Sequence, residues 1–156
     1  EPMEIGNDML AEISSNFTLV FTGMTRSASK VLAEESEDEE DKGRRMREIR
    51  DHADQAVMMF QNGDLDSLGA LLNDTWIAKR GISSMITNPS IDELYGRVMS
   101  SGAKGAKLLG AGNGGFLLVY GENGLRETLQ RELGPNFRIF PLEIDFSGSR
   151  IILGTS

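Results

Sequence analysis

The chain has 156 residues, 39% of them hydrophobic, which suits one domain with a core of ordinary size and leaves little room for two. Its formal net charge of −8 argues against a protein whose main task is to hold a nucleic-acid backbone, since that work rests on clustered lysine and arginine. With no cysteine and one histidine, His52, the chain has no disulfides, thiolate metal sites or imidazole clusters, and a metal would need carboxylate ligands.

The amino terminus, Glu1-Pro2-Met3-Glu4, lacks the basic flank and apolar stretch of a signal, and no apolar run approaches a membrane span. The expectation is a cytoplasmic protein with no membrane partner. Residues 1–16 carry a weak apolar pattern (Ile5, Met9, Leu10, Ile13) and read as a linker from something upstream. Residues 17–21 are apolar and partly β-branched, and Gly23 ends them, so a short buried strand is predicted. Thr25 can cap a helix over 26–35, in which Ala28, Val31 and Leu32 share a face. Seven of the eight residues 34–41 are acidic, without the spaced ligands of a calcium loop, and read as a solvated loop between helices.

From 44 to 62, Met46, Ile49, Ala53, Ala56, Val57 and Phe60 recur at threes and fours before Gly63, an amphipathic helix with its stop. His52, among Asp51 and Asp54, reads as a solvated residue of that helix. Asp64 caps a further helix, with Leu65, Leu68, Leu71, Leu72 and Trp76 on one face, until Gly81. Asn88-Pro89 is a cap followed by proline at the first helical position, and Ile91, Leu94 and Val98 mark the buried face of the helix that follows. Strand character then appears at 106–109, 116–120, 137–142 and 150–153, with a helix around Leu125, Leu129 and Leu133 between the second and third. Pro141 makes the 137–142 segment an edge strand or a bulged one. This order predicts an α+β domain, an antiparallel or mixed sheet of about five strands with helices mainly on one face.

The most informative stretch is Gly110, Ala111, Gly112, Asn113, Gly114 and Gly115. It fits G-x-G-x-x-G, but a strand follows where a dinucleotide site needs a helix, and no lysine closes the run as in a P-loop. A hairpin turn accounts for Asn113-Gly114. Four glycines in six exceed what a turn needs, and missing side chains let a ligand or another loop approach and let amides face an anion. Both readings stay open on the residues alone.

The run Lys107-Leu-Leu-Gly-Ala-Gly-Asn-Gly-Gly-Phe116 resembles the third conserved motif of the galactokinase, homoserine kinase, mevalonate kinase and phosphomevalonate kinase (GHMP) superfamily, which lies in its carboxy-terminal domain. Phe21-Thr-Gly-Met-Thr-Arg-Ser-Ala-Ser29, Trp76-Ile-Ala-Lys-Arg-Gly-Ile-Ser-Ser84, Asn88-Pro89 and Ile91-Asp-Glu-Leu-Tyr95 are similar to the heptose 7-phosphate kinase branch, and fucokinases share parts of this layout. The resemblance implies a ferredoxin-like GHMP kinase C-terminal domain over residues 17–156, joined by 1–16 to an N-terminal domain. That domain would bind ATP and Mg2+ and supply an aspartate near the accepting hydroxyl. The implied activity is phosphoryl transfer from ATP to a sugar or sugar phosphate, with this domain as one wall of the cleft, inactive alone and binding no cofactor alone. Glycine is commoner than asparagine at position 113 in the family, and the Asn113 side chain is expected to intrude on close approach.

The loop 110–115 is the expected phosphate or substrate loop, and no catalytic or metal-binding residue is expected in this chain. Arg26, Lys79, Arg80, Ser83 and Ser84 are substrate candidates. Arg26 is a cation in the first turn of its predicted helix, against the dipole. Lys79 and Arg80 stand at a helix carboxy terminus, where cations are favourable anyway, and the two serines also read as ordinary loop residues. Trp76 reads as core. A stand-alone ligand-binding or regulatory domain, a fucokinase- or galactokinase-type enzyme and an oligomerisation module are the competing readings.

Overall fold

A computed structural model of the chain describes residues 5–25 and 39–148. Helices α1 (Asn7–Asn16), α2 (Glu39–Asn62), α3 (Leu65–Arg80), α4 (Pro89–Ser100) and α5 (Leu125–Leu133) accompany strands β1 (Phe17–Phe21), β2 (Gly105–Leu108), β3 (Phe116–Tyr120) and β4 (Ile139–Pro141). The caps read from sequence are made. Asp64 accepts from the Ser67 amide at 3.0 Å, and Asn88 accepts from the Ile91 amide at 3.1 Å ahead of Pro89. Among the described residues no helix is long and apolar enough to cross a membrane.

The sheet order is β2-β3-β1-β4, every neighbouring pair antiparallel. Chain order against sheet order gives the split β-α-β, ferredoxin-like arrangement, in which α2 to α4 carry the chain from β1 to β2 and α5 carries it from β3 to β4. Four strands lie among the described residues instead of about five. The segment 150–153 and the helix expected over 26–35 both lie outside them. β4 is an edge strand, with Pro141 opposite Thr18, a place where the missing amide costs no ladder bond.

Alternation along the strands sorts the core. Val20, Ala106, Leu108, Leu117 and Val119 point to one face, where Trp76 of α3, Ile91, Leu94 and Val98 of α4 and Leu125, Leu129 and Leu133 of α5 bury them. On the other face Phe17 and Tyr120 join Ile13, Leu65 and Leu68 in a smaller cluster. Further along that face Phe21 and Phe116 stack at 5.1 Å, and Phe140 meets Phe116 at its edge.

Two segments differ from their sequence readings. Residues 7–16, within the 1–16 segment read as a linker, are helical (α1), which folds because Ile5, Met9 and Ile13 recur at intervals of four and meet the smaller cluster. The acidic run is not loop throughout, since Glu39, Glu40 and Asp41 form the first turn of α2, where carboxylates favour the helix dipole. Asp41 also bonds Arg44 and Arg45, the latter at 2.6 Å, and the two guanidinium groups hold its carboxyl below the usual carboxylate range. α2 packs along α3 without burying any residue fully, so Met46 and Val57 of its apolar face stay 55% and 44% exposed.

α3 meets the sheet by its backbone. A methyl group on Gly105 would overlap the carbonyl oxygen of Gly69, and one on Gly69 would overlap the Tyr120 ring. Gly105→Ala is therefore expected to cost about 2–4 kcal/mol, because backbone cannot move aside as a side chain can. Gly96→Ala, at a helical position where an added methyl meets nothing within 4 Å, should stabilise by about 0.5–1 kcal/mol. Urea unfolding of both variants checks the contrast, and equal shifts would refute the close approach.

Candidate functional site

The last bond between β2 and β3 runs from the Leu109 amide to the Phe116 carbonyl, 2.9 Å, and it encloses all six residues 110–115. The turn is thus not the two-residue Asn113-Gly114 hairpin considered from sequence. It is a longer loop fixed by two others, the 22–25 segment after β1 and the 81–88 connection between α3 and α4. The Asn113 amide donates to the Ile86 carbonyl at 2.7 Å, and the Gly115 amide to the Met24 carbonyl at 2.9 Å. Thr22 closes the ring, its amide and hydroxyl both donating to the Gly115 carbonyl at 2.9 Å.

This interlock explains part of the glycine excess. A Cβ on Gly112 would lie 2.7 Å from the Ile86 carbonyl oxygen, and one on Gly114 would lie 2.8 Å from that of Met24. At Gly110 the surrounding space is open, and its φ of +74° is the reason for glycine there. The amides of Gly110, Ala111, Gly112 and Gly114 have no acceptor among the described residues.

Asn113, the one non-glycine residue with positive φ (58°) among the described residues, does not show the expected intrusion on the approach side. Its side chain is 4% exposed, and its Oδ1 accepts from Asn88 Nδ2, while Asn88 Oδ1 caps Ile91. One amide pair therefore ties the loop to the start of α4.

The structure sorts the substrate candidates. Lys79 reaches the loop, its half-buried Nζ donating to the Leu108 carbonyl at 3.4 Å and to that of Gly110. Burial, aided by the Lys107 charge, pulls its pKa down to about 8. Lys107, on β2, is likewise lowered by burial. Arg80 is taken up by the fold, bonding Asp92 at 2.8 Å and lying 5.9 Å from the Trp76 ring centroid. Ser83 accepts from the Met85 amide at 3.1 Å and so shapes its own turn, whereas Ser84 is exposed beside it. Arg26 lies outside the described residues. Trp76 is fully buried, as read from sequence.

His52 is a correction, since it is partly buried and not simply solvated, with Nδ1 3.0 Å from Thr75 Oγ1. The Thr75 hydroxyl spends its proton on the Leu71 carbonyl at 2.7 Å, so Nδ1 carries the donated hydrogen. Sequence reasoning missed Thr22 and the second bond of Asn88. The single available signal was Thr22-Gly23 directly after a strand.

The loop thus carries N–H groups without an acceptor among the described residues, and an ammonium bonded to its Gly110 carbonyl. This donor set fits an anion such as a phosphate. It does not fit a divalent cation, and among the described residues no three acidic or histidine side chains gather to hold a metal.

Comparison with known proteins gives a family and several relatives. The family described as GHMP kinases C terminal matches residues 56–137. D-glycero-alpha-D-manno-heptose 7-phosphate kinase of Campylobacter jejuni is 27% identical, aligned over 76% of this chain and 36% of its own. The bifunctional fucokinase/GDP-fucose pyrophosphorylase of Arabidopsis thaliana is 22% identical, over 89% of this chain and 14% of its own. The chain thus spans about a third or less of the length of these relatives. Methanococcus jannaschii mevalonate kinase superposes with a TM-score of 0.65 at 23% identity, over 88% of this chain and 42% of that one.

The loop geometry predicts a graded response. Gly112→Ala, with strain in φ and a backbone clash, should lose about 2–3 kcal/mol of stability, and Gly110→Ala about 1 kcal/mol from φ alone. Asn88→Ala should cost about 2 kcal/mol, a helix cap plus the Asn113 amide bond. Chemical denaturation measures all three, and a larger loss at Gly110 than at Gly112 would contradict the interlocked loops.

Proposed function

The chain belongs to the GHMP kinase C-terminal family, and from that membership we propose that it is the carboxy-terminal part of an ATP-dependent sugar kinase acting on a heptose phosphate. The observation that carries the reading is the loop 110–115, where the amides of Gly110, Ala111, Gly112 and Gly114 have no acceptor among the described residues and the Lys79 ammonium donates to the Gly110 carbonyl. Phosphoryl transfer depends on positioning and on neutralising charge more than on covalent help from the protein. Amides preset by contacts to Ile86 and Met24 need no reorganisation when phosphate oxygens arrive, and that is what makes such donors effective.

In this reading ATP, with Mg2+, is held mainly by an N-terminal domain, to which residues 1–16 lead, and supplies the γ-phosphoryl group. A bond forms from a sugar hydroxyl oxygen to the γ-phosphorus and the bond to the β,γ-bridging oxygen breaks, while the hydroxyl proton passes to a base outside this chain. This chain forms one wall of the cleft. Its loop amides bind the phosphate that the acceptor already carries, and exposed Ser84 is a candidate partner for acceptor hydroxyls. The 27% identity with a heptose 7-phosphate kinase favours a heptose phosphate as acceptor. Fucose is the alternative, from the fucokinase relative.

The test is phosphoryl transfer by the full-length protein from Mg-ATP to D-glycero-D-manno-heptose 7-phosphate, L-fucose, D-galactose and mevalonate. The heptose phosphate should exceed the others in kcat/KM by about 100-fold or more. A preference for fucose would replace the acceptor, and no transfer to any sugar would overturn the reading. The 156-residue chain alone should bind Mg-ATP no more tightly than about 1 mM by calorimetry. Micromolar affinity, worth about 8 kcal/mol, would place the nucleotide site here and favour a stand-alone binding domain.

A further inference from the structure

Lys79 is a half-buried cation whose ammonium rests on two neutral oxygens. Its ammonium donates to the Leu108 and Gly110 carbonyls, and among the described residues it has no carboxylate partner. Neutral acceptors replace only part of the hydration that a buried charge gives up, so a domain that needed only a loop brace would be served better by a neutral donor. The neighbouring Arg80 shows the ordinary solution, a carboxylate at 2.8 Å.

The geometry also gives the bond to Gly110 a direction. In a trans peptide the carbonyl and the following amide point opposite ways, and no peptide bond among the described residues is cis. Holding the Gly110 oxygen therefore aims the Ala111 N–H away from Lys79, towards the side on which this amide has no acceptor.

Resting on the kinase reading above, we infer that Lys79 is a positioning and specificity residue: it orients the loop amides through the Gly110 carbonyl, and its unneutralised charge makes the loop select a phosphorylated ligand over the neutral counterpart. An anion at the loop supplies the countercharge that the described residues withhold. The titratable and charged groups on the elements packed around Lys79 include Lys107 on β2, His52 and the Asp41–Arg44–Arg45 cluster on α2, and the Arg80–Asp92 pair joining α3 to α4. The Arg80–Asp92 pair is internally neutral, whereas Asp41 is shared by Arg44 and Arg45, so that cluster and Lys107 both leave the field positive. Because the pKa of Lys79 is lowered to about 8, the ammonium is predominantly charged near neutral pH and loses its charge as pH rises through that value, so anion binding should weaken there.

The test uses the full-length protein with Lys79→Met and Lys79→Arg. Inorganic phosphate is titrated by amide NMR, and KM is measured for heptose 7-phosphate and for the unphosphorylated heptose between pH 6.5 and 9.5. In the parent protein phosphate should move the Ala111 and Gly112 amide signals, and KM for the phosphorylated sugar should climb above pH 8. Lys79→Met should raise that KM about 10-fold or more, leave KM for the neutral sugar within about 2-fold, and remove the climb. Lys79→Arg, charged throughout, should keep the preference and also lose the climb. Phosphate shifts that persist unchanged in Lys79→Met, or a climb that survives in Lys79→Arg, would overturn the inference. Should Lys79→Met fail to fold, the Lys79→Arg profile decides alone. If no sugar is phosphorylated, the kinase reading fails, and the NMR titration still decides the role of Lys79.

Discussion

The contact on which the site depends lies far along α3 from it, where the helix backbone at Gly69 presses on Gly105 and the Tyr120 ring. With no side chain at either glycine, α3 starts its run along β2 at the smallest possible spacing. Ten helical residues lead from Gly69 to Lys79, a rise of about 15 Å. Five extended residues lead from Gly105 to Gly110, about 17 Å. The two lengths nearly match, so a helix seated at Gly69 delivers its last lysine to the Gly110 carbonyl. A bulkier contact at the near end would lift the helix and carry Lys79 off the loop.

Much of this architecture was legible in the sequence, because it is set by local chemistry. The faces of α3, α4 and α5, the caps at Asp64 and Asn88, and the edge position of Pro141 follow from periodicity, short side-chain acceptors and a missing amide. The glycine-rich loop was found for the same reason. What it was for could not be read locally. Gly112 and Gly114 are small because Ile86 and Met24 lie against them, contacts across 26 and 90 positions of chain that leave no periodic trace. The open face of Gly110 and the occupied face of Gly112 look identical as letters.

The same limit explains the candidates that changed role. Arg80 and Lys79 are adjacent, and helix-end electrostatics treats them alike. The roughly 100° between successive helical residues sends one to Asp92 and the other under the loop, and only the tertiary arrangement tells which. α1 was overlooked because its apolar residues are few. Spacing by four was enough once Phe17 and Tyr120 offered a surface to cover.

The interlock of the 22–25, 81–88 and 110–115 segments rests on three main-chain bonds, joined by the Thr22 hydroxyl and the Asn88–Asn113 side-chain pair. Main-chain bonds are indifferent to most substitutions, so the frame can stay constant while exposed side chains such as Ser84 and Thr25 vary. In the proposed kinase, recognition of the sugar's hydroxyls would fall to such rim side chains, while the loop and Lys79 would hold the requirement for a phosphate. A lineage of such kinases would then change sugars through the rim without passing through a form that has lost its grip on the phosphate.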